Sequence, residues 1–352
     1  MNVHSSLPRR SFLKFSLTAT VGITAFSRKL SAAQAAGLPS SLGHGAFRYE
    51  QVPGWGVLNE KTPVNNCHGL AQDREGHIIL LNDDATNNVI IYDRAGKLVH
   101  KWGTQFPGAH GLSLVQENNR EVLFITDLKT NRVAKTTLDG VTLDEWLWPA
   151  DSGKYEKADQ YRPSWTLHPG NGEFYVLDGY GRDYILHYGK DGKRQRILGG
   201  PEGGIVHWGP HGGMIDRLPS GEDTLLIAMS DQRYLLRLNL EGKKLAQYDL
   251  PGGNPRQIRR YGDHYFVAHL ADNWPADRSS RGFISVLDTS FRVVANIGGT
   301  APDYDDAGRL QPMAHVGNLF QHPHDLLVDR ESSLYVAQFA SGKTYPIKLV
   351  RV

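Results

Sequence analysis

The chain has 352 residues, which is enough for one large domain or two of ordinary size. Its 39 Lys and Arg residues against 37 Asp and Glu residues leave a formal charge of +2, which excludes a strongly basic nucleic-acid-binding surface and a polybasic membrane patch. The 38 glycines, the many Trp and Tyr residues and the lack of long helical periodicity are typical of an all-β protein with many turns.

The N-terminus carries a targeting pattern. Arg9 and Arg10 are followed by SFLK, then by an apolar run, FSLTATVGITAF, and by the small residues SAAQAAG. This order resembles a twin-arginine signal with cleavage after Ala35. The apolar run is too short and too weakly apolar for a membrane span, so we expect export by the twin-arginine machinery to the periplasm or beyond, without membrane insertion after cleavage. The predicted organisation is a signal peptide (1–35), a linker (36–46) and one folded domain (47–352).

After the linker the chain repeats one unit of short strands. Each unit begins with a small residue or Pro, then a polar residue and an apolar strand; a second strand ends near Asp, and a third ends on D-G or E-G. The six copies start at CHGLAQ (67), AHGLSL (109), PSWTLH (163), PHGGMI (210), PRQIRR (255) and PHDLLV (323). Such a period indicates a propeller, solenoid or array. We predict a single six-bladed β-propeller, in which residues 47–56 complete the last blade and remove a free sheet edge.

Two segments depart from the repeat. Residues 272–282, DNWPADRSSRG, interrupt the fifth unit, and residues 297–319 form a long polar connection before the sixth. Long connections in a compact fold are often functional. Cys67 is the single cysteine, so an intrachain disulfide is excluded and the role of Cys67 is left open.

The polar residue near the start of each unit is here named the opening residue. The six opening residues are His68, His110, Ser164, His211, Arg256 and His324. Innermost strands of a propeller line its central channel, so these side chains should converge on the axis. His110, His211 and His324 come from alternate blades and can meet at one point, which is the ligand count of a catalytic zinc site. Copper and iron compete for imidazole ligands.

The surroundings of these histidines leave alternatives open. Asp127, Asp231 and Asp325 are expected to orient the rings as hydrogen-bond acceptors. His68 and His322 are further candidates, each as a ligand, a substrate contact or a plain polar residue. All of these histidines could instead be channel residues that hold ordered water.

At these residues the chain resembles NHL repeats and, more closely, the lyase domain of peptidylglycine α-amidating enzymes, over about residues 60–352. AHGLSL at 109, GPHGG at 209 and HPHDLLV at 322 match the zinc-ligand segments of that family, and YVLDGYGRDY at 175 matches the segment of its catalytic tyrosine. The resemblance implies a six-bladed propeller of NHL type with zinc on His110, His211 and His324. It also implies that Tyr180 accepts a proton as peptidyl-α-hydroxyglycine is cleaved to a peptide amide and glyoxylate.

The residues expected to hold the substrate differ from those of that family. The resemblance requires two active-site arginines, but this chain has Gln232 at one position and Asp83 in the segment of the other; His322 replaces a methionine. Arg256 is therefore a candidate catalytic residue that could supply the missing charge. We take His68, His322, Gln232 and Asp83 as candidates for contact with a small-molecule or peptide substrate.

Three functions remain open at this point. The first is a zinc-dependent lyase that cleaves a small hydroxylated substrate, either a peptidyl-α-hydroxyglycine lyase or a relative with an altered substrate. The second is a calcium-dependent lactonase-like hydrolase, and the third is a non-catalytic propeller that binds a ligand or a protein. Calcium sites need oxygen ligands, so the histidine-rich axis argues against the second, although a structural Ca²⁺ is left open. No pattern indicates a nucleic-acid partner.

Overall fold

The computed structural model describes residues 41–203 and 209–352, so the predicted signal peptide lies outside the described residues. The described part of the chain forms 25 strands in one compact unit. In chain order the strands are β1 (Leu42–His44), β2 (Phe47–Val52), β3 (Cys67–Gln72), β4 (Ile78–Asn82), β5 (Val89–Tyr92), β6 (Leu98–Trp102), β7 (Ala109–Glu117), β8 (Arg120–Asp127), β9 (Arg132–Thr137), β10 (Thr142–Leu147), β11 (Trp165–Leu167), β12 (Phe174–Leu177), β13 (Tyr184–Tyr188), β14 (Arg194–Gly199), β15 (Pro210–Arg217), β16 (Asp223–Met229), β17 (Tyr234–Asn239), β18 (Lys244–Asp249), β19 (Gly253–Tyr261), β20 (His264–Ala271), β21 (Phe283–Leu287), β22 (Val293–Ile297), β23 (Pro323–Val328), β24 (Leu334–Gln338) and β25 (Ile347–Arg351). Short 3₁₀ turns occur at Ala150–Ser152, Ala158–Gln160 and Pro201–Gly203.

The strands form six antiparallel sheets arranged as the blades of a propeller. Five sheets are four-stranded and follow chain order from β3 to β22, and the sixth has the order β1-β2-β25-β24-β23. The inner strands β3, β7, β11, β15, β19 and β23 contact one another in that order, and β23 returns to β3. The predicted six-bladed propeller is confirmed, and five of the six inner strands begin next to an opening residue, whereas β19 begins at Gly253, three residues before Arg256.

The N-terminal strand closes the ring as predicted. β2 pairs with β25 from Tyr49↔Arg351 to Val52↔Lys348. β1, which falls within the segment expected to be a linker, pairs with β2 and adds a fifth strand to the sixth blade. The chain therefore joins its two ends within one sheet, which removes an exposed strand edge.

The core lies between neighbouring blades. Phe266 and Ile284 of the fifth blade, for example, pack with Leu326 and Val336 of the sixth, and all four are fully or almost fully buried. Each such side chain contributes about 1.5–3 kcal/mol when removed from water. The D-G and E-G pairs form turns that need a left-handed backbone, with φ of +92° at Gly140 and +89° at Gly242.

The two segments outside the repeat are connections between strands. Residues 272–282 join β20 to β21, and residues 298–322 join β22 to β23. Among the described residues, no helix has the length and apolar character needed to cross a membrane.

Candidate metal centre and its pocket

Five of the six opening residues lie at irregularities in the inner strands. The pairing of β3 with β4 passes from Cys67↔Asn82 to Gly69↔Leu81, which leaves His68 without a partner across the sheet. The same interruption occurs at His211, Arg256 and His324, and a longer one spans His110. Such β-bulges bend the strand and redirect the unpaired side chain. All five side chains accordingly line one cavity of about 470 Å³.

His110, His211 and His324 form a compact triangle. Their ring centroids are 4.7 to 4.9 Å apart, and each residue is at most 2% exposed. Nδ1 of each ring lies 2.8 to 2.9 Å from a backbone carbonyl oxygen of the next blade. The three carbonyls belong to Ser164, Arg256 and His68, respectively. A carbonyl can only accept a hydrogen bond, so Nδ1 carries the proton and Nε2 presents a lone pair.

The prediction that Asp127 and Asp325 orient the histidine rings is wrong. Asp325 instead accepts hydrogen bonds from the Arg259 guanidinium and the Leu70 N–H, and Asp127 accepts from the N–H groups of Lys129 and Thr130. Backbone carbonyls of the neighbouring blades take the orienting role. For Asp325 the bulge explains this, because it turns His324 towards the axis and leaves the next residue facing another blade.

The Nε2 atoms of His110 and His324 lie close together. Nε2 of His324 is 3.1 Å from Nε2 of His110. Burial lowers the pKa of His110, His211 and His324 well below the usual value, with the neighbouring charges acting mostly in the same direction. The rings are therefore neutral, and two nitrogen lone pairs face each other at a distance that leaves no room for water between them. A divalent cation such as zinc resolves this repulsion, since neutral imidazole is its common ligand, so the residues fit a metal.

His68 is a fourth histidine of the cluster. Ring nitrogens of His68, His110 and His324 lie within 4.8 Å of one another, so these three could also hold an ion. His68 differs from the triangle, because its Nε2 faces Asp83 Oδ2 at 3.8 Å and its buried Nδ1 has no hydrogen-bond partner among the described residues. Burial would raise the pKa of Asp83, but the nearby His68 ring and hydrogen bonds from Asn66 lower it below its usual range, so Asp83 is a fixed negative charge in the cavity wall.

Tyr180 lies in a tight turn after β12. The Asp178 carboxylate accepts the N–H groups of Arg162 and Arg182 and the Tyr155 hydroxyl at 2.7 to 2.8 Å. A Cβ on Gly179 would lie 2.2 Å from the Pro210 carbonyl oxygen, so only glycine allows this approach to the next blade. The sequence D-G-Y thus fixes the tyrosine at the channel mouth.

The Tyr180 hydroxyl connects two of the predicted site residues. It lies 3.0 Å from His211 Nε2, to which it donates because that nitrogen carries no proton, and it accepts a hydrogen bond from Arg256 Nη1 at 3.4 Å. Loss of water around its hydroxyl raises the pKa of Tyr180 above its usual value, even though the residue as a whole is 37% exposed, and the positive charge of Arg256 opposes that effect. Arg256 is 5% exposed and belongs to the channel.

Two predicted substrate contacts lie outside the cavity lining. Gln232 is exposed on the turn after β16 and lines a separate cavity beside Tyr248. His322 is buried behind the wall, where its two ring nitrogens contact the carbonyl oxygens of Phe339 and Ser280 at 3.0 and 3.1 Å. Cys67 is buried, its thiol contacts the Thr344 carbonyl oxygen, and burial raises its pKa, so it is a packing residue.

Residues that sequence reasoning missed complete the cavity. Trp274 and Arg278 come from the 272–282 insertion, Phe339 follows β24, and Arg162 precedes β11. The insertion was the available signal, since it is long and carries an aromatic residue and arginines. Nothing in the repeat pattern distinguished Phe339.

Comparisons with known proteins agree with the fold. Neither a protein-family model nor a curated protein matches the chain. Among solved structures, selenomethionine-substituted virginiamycin B lyase from Staphylococcus aureus matches with a TM-score of 0.56 at 14% identity, covering 87% of this chain and 100% of the other. The structure of a catalytically inactive variant of that lyase with quinupristin gives the same values. At this identity the likeness shows the fold alone.

Proposed function

We propose that this protein is a metal-dependent lyase that cleaves a small hydroxylated substrate, peptidyl-α-hydroxyglycine or a relative of it, in the central channel. The observation that carries the proposal is the 3.1 Å approach of two unprotonated Nε2 atoms, His110 and His324, in rings held by backbone carbonyls. Neutral imidazoles forced together in this way are stable with a cation between them and costly without one.

His110, His211 and His324 would hold the metal. We choose His211 over His68 as third ligand because its Nδ1 is anchored on a carbonyl in the same manner as the other two rings. Zinc suits three imidazoles, with copper and iron as competitors. When bound, such an ion supplies a Lewis acid that polarises an oxygen of the substrate.

Tyr180 would transfer protons to and from the substrate, and Arg256 would assist it. In cleavage of an α-hydroxyglycine, the hydroxyl loses its proton, a carbonyl forms at that carbon, the carbon–nitrogen bond breaks and the leaving nitrogen gains a proton. As the tyrosinate, Tyr180 Oη would take the proton of the substrate hydroxyl as a general base and would then return it to the leaving nitrogen as a general acid. Arg256 Nη1, 3.4 Å away, stabilises negative charge on that oxygen.

The structural neighbours support the reaction class only. Virginiamycin B lyase is a lyase by name, so a protein of similar fold carries lyase chemistry. Its substrate is not transferred to this chain, because 14% identity carries no site residues.

Two measurements test the proposal. Metal analysis of the purified wild type should give about one metal ion per chain, and a variant with His110, His211 and His324 all replaced by alanine should hold none. Release of glyoxylate from a peptidyl-α-hydroxyglycine should depend on that metal. A wild type without stoichiometric metal contradicts the metal centre, and a metal-loaded protein that releases no glyoxylate contradicts this substrate.

We also propose that the protein acts outside the cytoplasm after twin-arginine export. The support is the order of Arg9, Arg10, the apolar run and the small residues. Replacing both arginines by lysine should retain the protein in the cytoplasm; unchanged export would contradict the proposal.

A further inference from the structure

Arg256 is a buried cation that faces the cavity without an anion. It is 5% exposed, and among the described residues no carboxylate lies within ion-pair distance of it. Its Nε atom is buried without a hydrogen-bond partner in the described part of the chain, and Nη1 makes a long contact with the Tyr180 hydroxyl. A charge buried in this way is expensive unless a partner arrives from outside.

The other charged residues that line the cavity also favour an anionic ligand. Lys129, Arg162 and Arg278 also line the cavity, against two carboxylates, Asp83 and Asp231. Asp83 already accepts hydrogen bonds from Asn65 and Asn66. A concave site with an excess of cations and a low-dielectric wall attracts small anions.

Beside the histidines the cavity wall is aromatic. Trp274 packs edge-on against Phe339 with ring centroids 5.6 Å apart, and Phe339 lies 5.6 Å from the His68 ring and 6.2 Å from the His324 ring. Arg278 extends this wall, because its guanidinium carbon lies over the Trp274 ring, 5.1 Å from the ring centroid. Aromatic faces of this kind bind flat rings by stacked or edge-to-face contacts.

The insertion that carries Trp274 is held firmly in place. His322 contacts the Ser280 carbonyl oxygen on the insertion and the Phe339 carbonyl oxygen on the sixth blade, and Trp274 packs on the His322 ring at 4.7 Å. The Gly282 N–H donates to the Gln321 carbonyl oxygen. The wall is thus built by contacts between two blades and is not a loose loop.

From these contacts we infer that the pocket binds a small anion that carries a flat ring, with its anionic group on Arg256 and its ring against Trp274 and Phe339. The inference rests on the proposed function, since it names the substrate class of the same site. His322 is then a positioning residue, which fixes the aromatic wall without touching the substrate.

Three small molecules test separately whether the pocket recognises the negative charge and whether it recognises the flat ring. Phenylacetate has the ring and the charge, 2-phenylacetamide has the ring without the charge, and acetate has the charge without the ring. Isothermal titration calorimetry on the full mature protein, with metal content measured on the same samples, should show phenylacetate binding more tightly than either partial probe by about 10-fold or more.

Variants locate the contacts. Arg256→Gln should weaken phenylacetate about 10- to 100-fold and leave 2-phenylacetamide unchanged, because only the charged probe uses the guanidinium. Trp274→Ala should weaken phenylacetate about 10-fold and leave acetate unchanged. Arg217→Gln, an exposed arginine paired with Asp223, is the matched control and should bind all probes as the wild type does.

The outcomes separate this inference from the proposed function. Equal binding of phenylacetate and 2-phenylacetamide by the wild type, no detectable binding of phenylacetate, or unchanged binding by Arg256→Gln would overturn the inference even if metal is present. Selective phenylacetate binding that depends on Arg256 in a protein without metal would uphold the inference and contradict the metal centre.

Discussion

Replacing His211 or His68 by alanine distinguishes the two three-histidine sets that the structure offers. Both side chains lie at opening positions and neither substitution removes a backbone anchor, because the carbonyl of residue 68 that holds His324 Nδ1 remains in His68→Ala. If His110, His211 and His324 are the ligands, His211→Ala removes one of the three protein ligands, whereas His68→Ala removes only a side chain that lies beside them.

The expected size of the effect follows from known zinc sites. Structural zinc sites with four protein ligands bind with about 10–16 kcal/mol, or roughly 3 kcal/mol for each ligand, which corresponds to about 100- to 1,000-fold in affinity. His211→Ala should therefore weaken zinc by that factor. His68→Ala should change it by less than about 10-fold, since it alters only the surroundings of the ligands.

Competition with a chromophoric zinc chelator measures both affinities, and thermal unfolding gives an independent check. Zinc at 100 times its Kd adds about 2.7 kcal/mol to the free energy of unfolding, so the wild type and His68→Ala should gain thermal stability with zinc while His211→Ala should not. The reverse pattern, with His68→Ala losing zinc and His211→Ala keeping it, would refute the choice of ligands in favour of His68, His110 and His324.

Three further changes test the surroundings. Tyr180→Phe should lower turnover about 100-fold at unchanged metal stoichiometry, because it removes the proton acceptor and no ligand; a parallel loss of metal would contradict that role. Asp178→Asn should lower the free energy of unfolding by about 2 kcal/mol in urea titrations, because one amide cannot accept both backbone N–H groups and the Tyr155 hydroxyl; an unchanged midpoint would contradict this account of the turn. Asp325→Asn should cost about 3 kcal/mol, since it removes the buried partner of Arg259, and a stable variant would show that the pair is dispensable.

The repeat made the fold predictable from the sequence. Each unit presents the same order of small residue, polar residue and apolar strand, so aligning the units also aligns the opening residues. The position in the repeat predicted that His110, His211 and His324 meet in one channel, but it left Arg256 open between the channel and the surface. Tyr180 was found through family resemblance, because a tyrosine on a turn has no distinctive periodicity.

What the sequence could not supply depends on packing between blades. The orienting groups of the histidines are backbone carbonyls, which every residue has, so no residue type reveals them. The bulges at the opening positions likewise follow from strand pairing across the sheet. Gln232 has a sequence position close to the site, but the turn after β16 faces another cavity.

The six opening residues divide into two functional sets of three. One set supplies the imidazoles, and the other supplies the carbonyls that orient them through the main chain: Ser164 for His110, Arg256 for His211 and His68 for His324. Because the second set acts through its backbone, its side chains can differ without disturbing the ligands. They are a serine, an arginine and a histidine, and the last two line the cavity. In the proposed lyase, substrate preference can therefore change at Arg256 and His68 while the three histidines stay in place, which would account for a chain that has the histidines of the resembled family without its arginines.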